Sequence, residues 1–105
     1  MSILKSNKRF ILSNLVSNIL DEGNQVSLFL NSDGYNAKFS LTVDDKKPSD
    51  IYVTFSEDNE KPISFIMHDN FNCIEFIFSL IDNLSIGDSL VKVYRANYHV
   101  MTMKV

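Results

Sequence analysis

The sequence predicts an α+β fold in which two helices cover one face of an antiparallel β-sheet. Two stretches place apolar residues at helical spacing, and the sequence between them alternates apolar and polar residues, as strands do. At 105 residues the chain fits one core, so we expect a single α+β domain over residues 1–105. The predicted order is an N-terminal helix, a four-stranded antiparallel meander, a second helix, and one or two C-terminal strands, arranged in two layers.

The first helix is predicted from about Asn7 to Asp21. Its apolar residues recur at helical spacing and share one face, and Gly23 follows at the position of a helix stop. The residues of that face are Leu12, Leu15, Val16, Ile19 and Leu20. This face should pack on the sheet.

After Gly23 the spacing of apolar residues changes from the helical repeat to the two-residue alternation of strands. The four predicted strands are Gln25–Leu30, Ala37–Val43, Ile51–Phe55 and Ile63–Met67. The turn sequence Asn31-Ser32-Asp33-Gly34 predicts a β-hairpin between the first two strands. Polar loops at 44–50 and 57–62 separate the later strands. Consecutive strands with short polar connections are typical of an antiparallel meander with one apolar face.

The second helix is predicted over Asn72–Leu84, with Asn72 as N-cap and Gly87 as the stop. Its apolar arc is wide, so the helix either lies inside the core or keeps one flank for a partner; the spacing favours the core. Cys73 lies within this arc, where a free cysteine behaves as a small buried apolar residue.

The C-terminal stretch, Leu90–Val105, is rich in strand-forming residues. Its alternation changes phase, which requires a bulge or a turn, and the neighbourhood of Ala96-Asn97 is where we expect it. The tail is therefore either one bent strand or two short ones.

Composition narrows the function classes. No apolar run is long enough to span a membrane. The net charge of -3 argues against a nonspecific nucleic-acid binder. The single cysteine cannot form an intramolecular disulfide and fits a cytoplasmic location. The frequent Asn, Ile, Lys and Phe are typical of AT-rich coding, which suggests a bacteriophage or a low-GC bacterium, and a phage protein would work in the host cytoplasm.

Catalysis is not expected from this sequence. His68, Cys73 and His99 are the residues most easily poised near neutral pH, but their spacing matches neither a nucleophile pair nor a metal motif. The three glycines are isolated, which excludes a glycine-rich phosphate loop. We expect no catalytic residues, no metal and no cofactor.

The favoured function is a non-catalytic protein-binding module, and its specific version is a small phage-encoded inhibitor or accessory factor acting on a host protein. Residues 21–60 carry nine acids against three lysines, so the loops of the meander are acidic. An acidic surface would attract a partner with a basic surface. The acids expected to form it are Asp44, Asp45, Asp50, Glu57, Asp58 and Glu60. They also suit a purely solubilising role.

Two alternatives remain from the sequence. A small nucleic-acid-binding domain would use the basic and aromatic residues of the C-terminal strand, Lys92, Tyr94, Arg95 and Tyr98, although the acidic body disfavours it. A homodimer, such as a dimeric escort chaperone, would use the wide apolar arc of the second helix or an unpaired edge in the tail.

Overall fold

The computed structural model describes residues 3–85 and 88–104, which form two helices and one six-stranded sheet. The elements are α1 (Ile3–Asp21), β1 (Val26–Ser32), β2 (Tyr35–Asp44), β3 (Lys47–Glu57), β4 (Ile63–Met67), α2 (Asn70–Leu84), β5 (Ser89–Arg95) and β6 (Tyr98–Lys104). The strand order across the sheet is β4-β3-β2-β1-β5-β6, and every neighbouring pair is antiparallel. The predicted α+β class and element order are confirmed, and all six strands belong to a single sheet. Neither described helix has a segment long and apolar enough to cross a membrane.

Both helices pack on the same face of the sheet, as predicted for two layers. Leu28 on β1 is in register with Phe39 on β2 and with Val93 on β5, and all three are at most 1% exposed. The buried residues of α1 and α2 belong to the same apolar cluster. The helix residues of this cluster are Leu12, Val16, Ile19, Leu20, Cys73, Ile74, Ile77, Phe78 and Ile81. The sheet therefore has one covered face and one face that no described helix covers.

The hairpin between β1 and β2 is confirmed, with a turn of two residues. Asp33 has φ 45° and Gly34 has φ 84°, so both occupy the left-handed region. Two positive φ values in succession give a turn whose twist matches that of the flanking strands. Glycine is needed at the second position, because its lack of a Cβ removes the steric cost of that conformation.

The loop predicted over 44–50 is shorter than expected, because β3 begins at Lys47. Asp44 Oδ1 accepts a hydrogen bond from the Lys46 backbone N–H at 3.0 Å and closes a tight turn. Asp44 pairs with Lys47, while Val43 pairs with Ile51, so 48–50 are inserted as an irregularity. The polar composition of this segment predicted a loop, but the turn takes only Asp45 and Lys46, and the strand runs from Lys47 through the insertion.

The predicted N-cap of α2 is wrong by three residues. Asp69 is the cap: its Oδ1 accepts a hydrogen bond from the Asn72 N–H at 3.1 Å. The helix ends at Leu84, where the Ser85 N–H bonds the Ile81 carbonyl at 2.9 Å. The predicted stop at Gly87 lies outside the described residues. Asp and Asn cap helices about equally well, so residue preference could not separate the two positions.

The tail is two strands rather than one bent strand. Ala96 has φ 52° and lies in the turn between β5 and β6, where the change of phase predicted a turn. Val93 pairs with Met101 but Tyr94 pairs with His99, so one extra residue is inserted in β6. This insertion explains the change in alternation along the tail.

Candidate functional site

The six acids of the predicted acidic surface fall into two groups at opposite ends of β3. Asp44, Asp45 and Asp50 lie near its start, and the group of Glu57, Asp58 and Glu60 lies at and beyond its end. The partners of Lys47 and Glu57 on β2 are Asp44 and Ala37, which are seven residues apart. An extended strand rises about 3.3 Å per residue, so the two groups are separated by roughly 23 Å. The structure does not bring the six carboxylates together on one surface.

Two acids of the first group, Asp44 and Asp50, make contacts within the domain itself. The Tyr52 hydroxyl donates to Asp44 Oδ2 at 3.2 Å, and this bond raises the pKa of Tyr52. Asp50 is nearly buried and its Oδ1 lies 3.0 Å from Nδ1 of His68. Each contact commits a carboxylate oxygen to the domain itself, so less of its charge is offered to a partner.

The second group of acids is also partly occupied. The Tyr35 hydroxyl donates a hydrogen bond to Glu57, and the pKa of Tyr35 is raised by burial and by this bond. Asp58 Oδ2 accepts from the Asn36 backbone N–H at 2.9 Å. Glu60 is exposed in the turn before β4.

The four residues of the nucleic-acid alternative are divided between the two faces of the sheet. Arg95 is in register with the buried Val26 and with Tyr98, so its face is the helix side, where its Nη1 donates to Glu22 at 3.2 Å. Lys92 and Tyr94 have the opposite phase and lie on the face that no described helix covers. Lys92 and Tyr94 therefore share the uncovered face, whereas Arg95 and Tyr98 lie on the helix side.

That surface, here named the open face, consists of the outward-pointing residues of the six strands. They are Ser64 and Ile66 of β4, Tyr52, Thr54 and Ser56 of β3, Asn36, Lys38, Ser40, Thr42 and Asp44 of β2, Ser27, Phe29 and Asn31 of β1, Leu90, Lys92 and Tyr94 of β5, and His99, Thr102 and Lys104 of β6. Among these described positions three are lysines and one is an acid, Asp44, which lies at the end of β2 and accepts a hydrogen bond from the Tyr52 hydroxyl, although the chain carries 13 acids.

A cation–ring–cation row crosses the centre of the open face. Phe29 of β1 is directly opposite Lys38 on β2 and directly opposite Lys92 on β5. Lys38 Nζ lies 5.2 Å from the centroid of the Phe29 ring, within the range of a cation–π interaction. Neither lysine has a carboxylate within ion-pair distance among the residues that the structure describes. Lysines therefore occupy the positions on both sides of Phe29, and the ammonium of Lys38 lies over its ring.

Three rings continue diagonally from this row towards the β6 edge. The Phe29 and Tyr94 centroids are 5.2 Å apart with the planes at 73°, and the Tyr94 and His99 centroids are 5.3 Å apart at 61°. His99 Nε2 is 2.7 Å from the Thr102 hydroxyl oxygen, a contact that orients the imidazole. Edge-to-face packing of this kind is favourable and holds each ring in place.

Two shallow depressions flank the Phe29–Tyr94 pair. One, of about 230 Å³, is lined in part by Asn31, Asn36 and Lys92. The other, of about 290 Å³, includes Ser27, Lys38 and Asn97 in its lining. Their walls contain amide and hydroxyl groups beside the rings and the lysines, so the surface offers hydrogen bonds, apolar area and positive charge within a few residues.

The three residues considered for catalysis, His68, Cys73 and His99, do not form a cluster. Cys73 is fully buried, and burial raises the pKa of its thiol to about 11, the reverse of what an activated nucleophile needs. His68 follows the edge strand β4 and His99 lies on the opposite edge strand β6. Five interstrand spacings of about 4.8 Å separate them by roughly 24 Å. In residues 3–85 and 88–104, no group of three or more metal-ligating side chains could hold a metal ion.

The sequence reasoning missed Phe29 and Lys38 as members of the site. The alternation in β1 does predict that Phe29 points away from Leu28 and Leu30, and Lys38 is likewise out of phase with Phe39. Their proximity to Lys92 and Tyr94 depends on β5 pairing with β1, which local patterns do not reveal.

Comparisons with known proteins identify no relative of this chain. No protein-family model, no curated protein and no solved structure matches the chain.

Proposed function

We propose that this protein is a non-catalytic binding module whose binding surface is the open face, and that its partner is anionic there. One observation carries the proposal: cations and rings share the centre of a sheet face whose described positions on β1, β5 and β6 include no carboxylate, in a chain with more acids than bases. An antiparallel sheet with one face in water often carries scattered polar residues of both signs. The one acid among the described open-face positions, Asp44, lies at the end of β2 and bonds the Tyr52 hydroxyl, so positive charge prevails at the centre of the face, which supports a role in recognition.

The physical basis of the proposal is complementary potential. Positive groups on one surface speed and orient association with a negative partner, and this effect is local rather than a property of the net charge. The half-buried Phe29 and Tyr94 add apolar area at the centre of the face, where contacts contribute most to affinity.

The narrower hypothesis of a phage-encoded inhibitor remains a prediction based on size, composition and acidity. The sequence-based version of this hypothesis uses the acidic loops, and their six carboxylates lie at the two ends of β3. The open face offers a binding surface that does not depend on those loops.

The test is chromatography on immobilised heparin, used as a generic polyanion, at low salt and neutral pH. We compare the wild type with a Lys38→Glu/Lys92→Glu variant and with a Lys46→Glu/Lys47→Glu variant. Both double variants change the net charge by the same amount, but the control alters only the β2–β3 turn and the first residue of β3. Circular dichroism confirms that all three proteins are folded.

We expect the wild type and the control to elute at similar salt and the open-face variant to elute earlier. Two results would refute an anion-binding open face. One is a wild-type protein that the heparin column does not retain, and the other is an equal loss of retention in both double variants.

A further inference from the structure

The cation–ring–cation row and the three-ring series fit a specific kind of anionic partner. We infer that the open face binds single-stranded nucleic acid, with bases against Phe29 and Tyr94 and backbone phosphates at Lys38 and Lys92. The inference rests on the proposed function, because it uses the same surface and names its occupant.

The spacing across the row suits a nucleotide backbone. Lys38 and Lys92 lie on the two strands that flank β1, each directly opposite Phe29. Neighbouring strands are about 4.8 Å apart, so the two lysine backbones are about 10 Å apart with the ring midway. Flexible lysine side chains can then reach the phosphates on either side of a nucleotide whose base lies near the ring. This arrangement requires no movement of the protein backbone, because the lysine side chains span the distance.

The rings form a continuous series from β1 to β6, with centroid separations of 5.2 and 5.3 Å. Every base has a π-face, so a series of aromatic side chains on a sheet accepts successive bases of a single strand without requiring one sequence. The amides of Asn31 and Asn36 lie in the depression beside Phe29, where they can bond base edges.

Three other occupants fit less well. An acidic peptide would use the lysines but would leave the ring series and the neighbouring amides without a matching group. A second copy of the chain, docked through the same face, would bring lysines of like sign together. A duplex would hide the base faces that the rings require.

The experiment is fluorescence polarisation with three labelled probes at low salt: a short oligouridine, the same sequence in duplex form, and a glutamate peptide of equal charge. The protein variants are Tyr94→Leu and Phe29→Leu, which remove a ring but keep apolar volume, and Lys38→Gln/Lys92→Gln, which removes the two charges. The control is Lys46→Gln/Lys47→Gln. Amide chemical-shift dispersion by NMR verifies the fold of each variant.

We expect the wild type to bind the single strand more tightly than the duplex or the peptide. Each ring variant should weaken single-strand binding about tenfold, since stacking on one side chain accounts for 5-fold to over 100-fold. The ring variants should leave peptide binding unchanged. With two phosphates engaged, log K should fall with log salt at a slope of roughly −1.4, and this slope should nearly vanish in the double glutamine variant.

Three results would overturn the inference, and they have different consequences for the proposed function. Binding of the peptide but not of the single strand would remove nucleic acid and leave an anion-binding open face. Single-strand binding that the ring and lysine variants leave intact would place the site elsewhere on the chain. Absence of binding to every probe would refute the inference and count against the proposed function as well.

Discussion

Arg9 is predicted to be the main polar connection between the two helices. Its Nη1 donates to Asp82 at 2.8 Å, and its Nη2 lies within hydrogen-bond distance of both the carboxylate and the backbone carbonyl of Glu75, at 3.0 and 3.1 Å. Nη2 also reaches the Ser79 hydroxyl at 3.2 Å. The Arg9 side chain is 24% exposed, so this network is less screened by water than an ordinary surface pair.

The cost of removing this network can be worked out from its parts. Each of the two ion pairs contributes about 0.5–1 kcal/mol, because both carboxylates are still partly in water. The bonds to the carbonyl and the hydroxyl together add about 0.5–1.5 kcal/mol. We therefore expect Arg9→Met, which keeps the apolar stem, to lower the free energy of unfolding by about 2 kcal/mol. For a chain of this size that is a fall in Tm of about 8 °C.

The assay is urea unfolding followed by circular dichroism, with Arg95→Met as the matched control. Arg95 makes one bond to Glu22 at 3.2 Å and both side chains are about half exposed, so its loss should cost at most about 0.5 kcal/mol. High salt should reduce the Arg9→Met effect by screening the ion pairs. If Arg9→Met is no more destabilising than Arg95→Met, the reasoning fails.

Three further predictions concern stability. Asp69→Ala should lower the unfolding free energy by about 1 kcal/mol through loss of the α2 cap, while Asp69→Asn should retain most of it, as urea unfolding will report. Gly34→Ala should cost about 1 kcal/mol because φ 84° strains any side chain, and Gly34→Asn, which tolerates that region, should cost less in the same assay. Burial raises the pKa of Cys73 from 9.0 to about 11. Between those values only the unfolded state loses the thiol proton, so wild-type stability should fall with rising pH by up to about 1.4 kcal/mol per pH unit more than that of Cys73→Ala. Equal pH dependence of the two proteins above pH 9 would contradict this last prediction.

Much of the fold could be predicted because its local signals agree with its packing. The strand Ile63–Met67 begins and ends as predicted, and the turn Asn31-Ser32-Asp33-Gly34 forms the expected hairpin. Both succeed because alternation and turn chemistry act within a few residues. The loop predicted over 44–50 is too long, because its polar composition does not reveal that Lys47 pairs with Asp44 and that β3 begins there.

The candidate site could be predicted only in part, for a topological reason. Lys92 and Tyr94 were identified from the tail because they are close in sequence. Phe29 and Lys38 were not, because β5 reaches β1 only after the chain has passed through β2, β3, β4 and α2. Arg95, next to Tyr94 in sequence, points to the opposite face, since neighbours in a strand always do.

The net charge of -3 describes neither face of this molecule. Two cations on the helix side have structural partners: Arg9 joins Glu75 and Asp82, and Arg95 pairs with Glu22. On the open face the lysines at the centre have an aromatic ring between them and no described carboxylate as partner. The net charge adds the charges of the helix side and of the open face together, whereas a partner contacts only one of these faces. The expectation against nucleic acid came from that sum, and the separation of charge by the sheet is the reason to measure binding rather than to infer its absence.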